Sequence, residues 1–427
     1  MAYSNDIYNR CPHQAFSWGV RYCCKDGKRP LSNCHWVGQG HCDDNICNPN
    51  EVTAARNSVG DGYGCRFGRE KSLCCTPEMG TLEFNTCSAS LCDYDKGLCD
   101  LDPWADGPDN DDDFSKQASR PSMNASGVII RPRGYPGSSF LFDGIDGNQV
   151  LSRAFTISDP NCRVTKLKKI DPNTITKPEK QAKWATEHGV EIQYIKSFTS
   201  TAVTGNLPSK RRLTTTGYIG KKHMNEYFNN PNGLSTPYRA TNTSRATRNP
   251  SAAMFEAIGS YTNRRSLFLV TRSLNSVKRR VFEGIDPLSK DRLQKFVAES
   301  IRTGKGEEKF LLFIRETIGT FQYIHDPEVL PRIQETRRRL RETSVEISTQ
   351  IPMLIFFDEI WDEFDPDWWN TMTDTARGWV TKSIAYIERE YRAAAASPAP
   401  PSNWGAVQRA IYTLNRDMVY IKTLPRI

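Results

Sequence analysis

Cys34-His-Trp36-Val-Gly38-Gln-Gly40-His-Cys42, then Cys47, then Cys65-Arg-Phe67-Gly68-Arg69-Glu-Lys71-Ser-Leu73-Cys74-Cys75: this stretch decides how the rest of the chain is read. It belongs to a run of twelve cysteines, at Cys11, Cys23, Cys24, Cys34, Cys42, Cys47, Cys65, Cys74, Cys75, Cys87, Cys92 and Cys99, and only Cys162 lies beyond it. An even count at such density in a loop-rich segment reads as a disulfide framework and therefore as an oxidising compartment. Adjacent cysteines pair poorly with each other, so Cys23, Cys24, Cys74 and Cys75 each bridge elsewhere and cross-link neighbouring segments. An internal echo supports one repeated unit. Cys11, Phe16-Ser-Trp18-Gly19 and Tyr22-Cys23-Cys24 run parallel to Cys65, Phe67-Gly68-Arg69 and Leu73-Cys74-Cys75. Gly, Asn and Asp punctuate the segment every few residues, which suits short strands and tight turns. The pairing of the cysteines stays open at this point.

His13, His35 and His41 sit among these thiols and raise a zinc site, but the repeated Cys-x-x-Cys of structural zinc modules is missing. Disulfides are the better reading, and neither a metal nor a cofactor is expected. Trp18, Trp36 and Tyr63 suit an aromatic face for stacking on sugar rings, while Trp36 serves equally well as the small core of a mini-domain.

Charge divides the 427-residue chain in the same place. Residues 1–120 carry 12 basic and 18 acidic side chains, the remainder 45 basic and 31 acidic, so net charges of −6 and +14 face each other across the boundary. A cationic body suits anionic partners, nucleic acid or a phosphorylated glycan among them, or is simply a solvated basic surface. No stretch reaches the ~18 consecutive apolar residues of a membrane span. Met1 is followed by Ala-Tyr-Ser-Asn-Asp, without a basic or an apolar signal region. Set against the disulfides, this leads to the expectation of a fragment of a longer secreted, extracellular protein. The sequons Asn124-Ala-Ser126 and Asn242-Thr-Ser244 fit a secretory route as glycosylation sites.

The pattern Cys34-x-Trp36-x-Gly38, Cys42, Cys47, Glu51-Val-Thr53, Gly60-Asp61-Gly62, Cys65, Gly68-Arg69-x-Lys71-x-Leu73-Cys74-Cys75-Thr76 resembles a cysteine-rich segment of fungal killer-toxin-like chitinases. In that group it follows a glycoside hydrolase family 18 barrel. Cys162-Arg-Val-Thr165-Lys166-Leu-Lys-Lys169, Thr186-Glu187-His188-x-x-Glu191-x-Gln193, Phe198 and Gly205-Asn-Leu-Pro208 extend the resemblance, which spans residues 11–208 and continues loosely beyond. It implies a secreted fungal protein with chitin-binding, cell-wall character. The catalytic barrel is another matter. Asp143-Gly144-Ile145-Asp146 opens like the family 18 signature, but Gly147, Asn148, Gln149 and Val150 stand where the later carboxylates belong, so the general acid is missing. Nothing else resembles the barrel, which needs about 250 residues.

Residues 100–126, with Asp109-Asn-Asp-Asp-Asp113, read as an acidic linker. Residues 127–248 read as an α+β lead-in with basic loops such as Lys210-Arg211-Arg212, and within it Glu187, His188 and Glu191 form the one place where acid, imidazole and acid share a turn. On a helix His188 and Glu191 share a face, as a general base or metal ligand of a small nuclease requires, or else the imidazole is hydrogen-bonded structurally. From residue 249 the periodicity is helical: a helix capped at Ser251, another over Arg264–Val281, one from Ser289 to Gly304, then Glu307–Phe321, and a long one opened by Pro327. Arg337-Arg-Arg339 and Arg341 read as a wet face partnered by Glu335 and Glu342. Trp361 and at least one of Trp368 and Trp369 are expected as core anchors.

The expected architecture is α+β and multidomain: a disulfide-rich module over 1–99, the linker over 100–126, the lead-in over 127–248 and an α-rich domain over 249–427. Three functions follow from it. The first is a chitin- or wall-tethered tail with a cationic, effector-like domain and no chitinase activity of its own. The second is a nuclease-type toxin domain centred on Glu187, His188 and Glu191. The third is a structural wall protein without catalysis.

Overall fold

The computed structural model describes residues 31–38, 42, 45–48, 51–58, 64–65, 69–77, 91–94, 105–106, 122–143, 150–157, 165–214, 217–229, 238–241 and 249–427. The protein has a disulfide-rich N-terminal region built on a small sheet, followed by a helix-rich C-terminal part.

Three strands form the N-terminal sheet: β1 (Leu31–Val37), β2 (Val52–Asn57) and β3 (Lys71–Pro77), in the order β1-β3-β2 with both pairings antiparallel. Successive side chains on a strand point to opposite faces, which settles what the adjacent cysteines of β3 do. Cys75 bridges to Cys34 on β1, while Cys74 bridges to Cys47, ahead of β2. Cys42 and Cys65 close the third bridge. The apolar core is small: Ala55, Leu73 and Cys75, with Trp36 and Ala54 packed against it. Covalent staples take the place of a large core here.

The segment expected to be a linker is partly folded. Ala105–Asp106 pairs in parallel with Tyr135–Pro136. A hairpin joins β4 (Met123–Ala125) to β5 (Val128–Ile130) through Ser126 and Gly127, both at positive φ, as a tight two-residue turn requires. Met123, Ala125, Val128 and Ile130 alternate inward and join the main core, as does Leu91.

The body is organised on a four-stranded mixed sheet of β6 (Ala154–Ile157), β7 (Leu167–Ile170), β8 (Trp184–His188) and β9 (Leu267–Thr271), ordered β8-β9-β6-β7. β9 runs antiparallel to β8 and parallel to β6, and β6 runs antiparallel to β7. The boundary expected between residues 248 and 249 therefore does not separate two cores. A strand from beyond it lies between two strands that precede it, and one hydrophobic cluster runs from Leu91 to Leu424. The helix expected over residues 264–281 is correspondingly a strand followed by a helix.

Nine helices of seven residues or more are present among the described residues: α1 (Lys177–Lys183), α2 (Ile192–Thr204), α3 (Pro250–Ile258), α4 (Arg272–Phe282), α5 (Lys290–Thr303), α6 (Glu308–Ile324), α7 (Leu330–Gln350), α8 (Phe357–Ala395) and α9 (Trp404–Asp417). α3 starts from Asn249, whose side chain accepts from Ala252 N, with Pro250 at the first helical position, so the cap lies two residues before the expected Ser251. α5 begins after Ser289 and ends at Gly304 in the left-handed conformation, as expected. α6 lies so close to β6 that a Cβ at Gly319 would stand 2.5 Å from Ile157, so glycine is required there. Trp361, Trp368 and Trp369 of α8 are all buried, as core anchors are, and Trp368 stacks on Phe282 at 5.2 Å. No helix among the described residues is long and apolar enough to cross a membrane.

Candidate functional site

Glu187, His188 and Glu191 do come together in space, but not on a helix. Glu187 and His188 end strand β8, Gly189 turns the chain, and Glu191 caps the start of α2. β8 is covered on both faces, so its polar residues point into the core. Lys278, from the middle of α4, is fully buried beside them. Its ammonium contacts Glu187 Oε1, donates to Glu191 Oε1 at 2.7 Å and donates to the His188 carbonyl at 2.9 Å. The Tyr323 hydroxyl of α6 donates to Glu187 Oε2 at 2.7 Å.

Two carboxylates thus share one cation away from water, and burial pushes the Glu187 carboxyl up despite Lys278, with Glu191 adding to the rise. The Lys278 ammonium is held above its usual range, since Glu187 and Glu191 together outweigh its desolvation. Burial and the Lys278 charge drive the His188 imidazole down to about 3. Its ring stands edge-on to Tyr135, with centroids 4.3 Å apart, and lies against Gly259, where φ is +134° and a Cβ would meet Leu267 at 2.5 Å. The imidazole is neutral at neutral pH and packed. The geometry is that of a structural ion cluster, with no acid or base presented to solvent.

A second cluster faces outward. α7 carries Arg332, Glu335 and Arg339 at spacings of three and four, hence on one face. The turn Arg264–Ser266, which leads into β9, brings Arg265 and Ser266 opposite them. Together these five residues line an open pocket of about 350 Å³. Ser266 belongs to the wall: its hydroxyl contacts Thr336 Oγ1 at 2.8 Å and donates to Ala257 O at 3.2 Å. Arg332 donates to the Arg265 carbonyl at 3.1 Å. Arg339 Nε donates to Glu335 at 2.9 Å. The Arg265 side chain is exposed and has no hydrogen bond or ion pair among the described residues.

The arginine run of α7 accordingly splits into different fates instead of forming one wet face. Arg338 pairs with Glu335 and Glu342 as expected. Arg337 turns inward: it is buried against Trp369, forms a two-armed pair with Asp365 of α8 and donates to Pro425 O at 2.7 Å. Tyr194 donates to the same Asp365 at 2.9 Å. Arg341 pairs with Asp362. Sequence reading passed over the pocket because Arg265 and Arg332 are far apart in the chain; the one local signal was the three-four spacing of Arg332, Glu335 and Arg339.

Among the proposed sugar-stacking residues, Trp36 is half-buried on β1, with one side on the small core. Trp18 and Tyr63 lie outside the described residues, as do Cys11, Cys23, Cys24, Cys87, Cys99, Cys162 and Asn242. Cys92 is disulfide-bonded. Asn124 is exposed on the β4–β5 hairpin, where its Oδ1 accepts from Gly127 N at 2.7 Å. No group of three His, Cys, Asp or Glu side chains is placed to hold a metal among the described residues. Comparison of the chain with protein-family models, curated proteins and solved structures finds no match.

Proposed function

We propose that this chain is a secreted, extracellular accessory protein of the killer-toxin-like chitinase kind, without chitinase activity of its own. In this reading the disulfide module tethers the protein to chitin or another wall glycan, and the helical domain captures an anionic target. The observation that carries it is the open pocket bordered by Arg265, Arg332 and Arg339, set in the part of the chain with the excess positive charge. Guanidinium groups present planar forks of N–H donors that match oxyanions, and they keep their charge at any physiological pH. The half-buried Trp36 supports the tethering half, because sugar stacking uses a ring that packs on the protein and stays partly exposed. A nuclease centred on Glu187, His188 and Glu191 draws no support from groups sealed in the core around Lys278.

The test uses the full chain. Cosedimentation with insoluble chitin should retain wild type and release Trp36→Ala, with the disulfides of both verified by mass spectrometry. Calorimetric titration with inorganic phosphate should show binding that Arg265→Ala weakens several-fold. Retention on chitin without anion binding would leave a structural wall protein, and the absence of both would reject the reading.

A further inference from the structure

We propose that the pocket lined by Arg265, Arg332, Glu335 and Arg339 is a site for a phosphate monoester carried on a sugar, with the arginines holding the phosphate and Glu335 accepting a sugar hydroxyl. This rests on the anion-capture reading above and narrows its ligand.

Arg265 and Arg332 supply the phosphate end. Arg265 brings an exposed guanidinium that spends nothing on the described protein groups, and Arg332 lies next to it, about half-buried at the pocket wall. Arg332 is held below its usual range, first by burial and then by the Arg265 charge. Glu328 offsets part of this repulsion, and a dianion bound beside the two guanidinium groups relieves more of it. A phosphate monoester carries about −1.5 to −2 at neutral pH and three strong acceptor oxygens, enough to engage both forks.

Glu335 gives the site its second half. Its Oε1 accepts from Arg338 Nη2 at 2.8 Å and from Arg339 Nε at 2.9 Å, and its Oε2 accepts from Arg338 Nε at 2.9 Å. The hydrogen bonds from Arg338 come first among the causes that hold its carboxyl below the usual range, so it is ionised. A carboxylate has about four acceptor positions, which leaves Oε2 one more to offer. A carboxylate inside a cationic pocket repels a bare polyanion and welcomes a hydroxyl donor. A ligand with phosphate at one end and hydroxyls a few ångströms away satisfies both.

The lining also argues against nucleic acid. Single strands are held by an extended basic groove with aromatic platforms for the bases. Here, among the described residues, the volume is bounded by one helix and one turn with no aromatic ring in its lining, and it lies at the lower end of the range for small-molecule sites.

Calorimetry on the full chain tests the proposal with inorganic phosphate, a hexose 6-phosphate, the same hexose without phosphate, an oligosaccharide ending in that hexose phosphate, and a single-stranded ribo-oligonucleotide. The hexose phosphate should bind about tenfold tighter than inorganic phosphate, the weight of one hydrogen bond to a charged group, and the free hexose should not bind. Glu335→Gln should erase the tenfold preference while inorganic phosphate still binds. Arg265→Ala, at an exposed position that leaves the fold intact, should weaken every phosphate ligand. Tighter binding of the capped oligosaccharide than of free hexose phosphate would support the proposal and place the ligand on a glycan; equal binding would support it with the free sugar phosphate sufficient. Equal affinity for inorganic phosphate and hexose phosphate would overturn the sugar-phosphate inference and leave anion capture standing. Tighter binding of the oligonucleotide than of either phosphorylated sugar would also overturn it. Binding of no anion at all would remove both.

Discussion

Lys278 has no solvent, and its neighbours have few alternatives to it. Glu187 is almost wholly buried, Glu191 nearly so, and Tyr323 commits its hydroxyl to Glu187. Replacing such a cluster with apolar groups is often neutral, whereas removing one partner strands the others in a medium that cannot solvate them. Lys278→Met should therefore destabilise the protein by about 3–5 kcal/mol, and adding Glu187→Gln and Glu191→Gln should recover much of the loss. Urea unfolding followed by tryptophan fluorescence measures both, and a single-variant loss within the noise of a surface substitution would contradict the cluster's structural role. The acid–imidazole–acid grouping was visible in the sequence because its members are neighbours. Lys278, which decides what the grouping is, stands 90 positions beyond His188 in the chain. Arg337 was hidden in another way: it opens a run of three arginines whose next member, Arg338, faces outward, and only the fold's rotation of α7 assigns it to Asp365.

At the scale of elements, α4, α5 and α7 were readable because each presents an apolar stripe to the core, and α6 because its apolar run is long enough for a helix buried all round. Leu267-Phe-Leu-Val-Thr271 was not. β9 is covered on both faces, so the alternation that marks a strand is absent, and a short apolar run abutting α4 reads as part of that helix. The turn at Gly189 failed for a related reason, since four residues hold too little pattern to separate a strand end from a helical turn. α8 offers a prediction from the same propensities. Gly378 lies inside this helix, and a Cβ there meets nothing within 4 Å. Gly378→Ala should stabilise the protein by about 0.5–1 kcal/mol, since alanine loses less backbone freedom on folding. A chemical-denaturation midpoint that falls would mean α8 needs flexibility at that point.

Across the whole molecule, two regions are held by different means. Residues 31–77 depend on three disulfides around a core of three buried residues, whereas the body depends on an extended hydrophobic cluster. Removing native disulfides from a domain this small commonly costs about 2–5 kcal/mol each, more than such a core returns. Dithiothreitol at neutral pH should expose Trp36 and open the 31–77 sheet to trypsin while the far-ultraviolet helical signal persists. Parallel loss of that signal would show that the two regions are energetically one. The cysteine framework made the first region legible from sequence alone. The second was legible only in class, because its pairing partners are drawn from opposite ends of the body.

The place of β9 in the sheet has a consequence for how the chain comes to be folded. During synthesis β6 and β8 emerge more than seventy residues before the strand that joins them. Until Leu267–Thr271 leaves the ribosome, each shows an unsatisfied edge, the usual template for association with another chain. A nascent chain halted between His188 and Thr271 should thus be more prone to aggregation than the full chain.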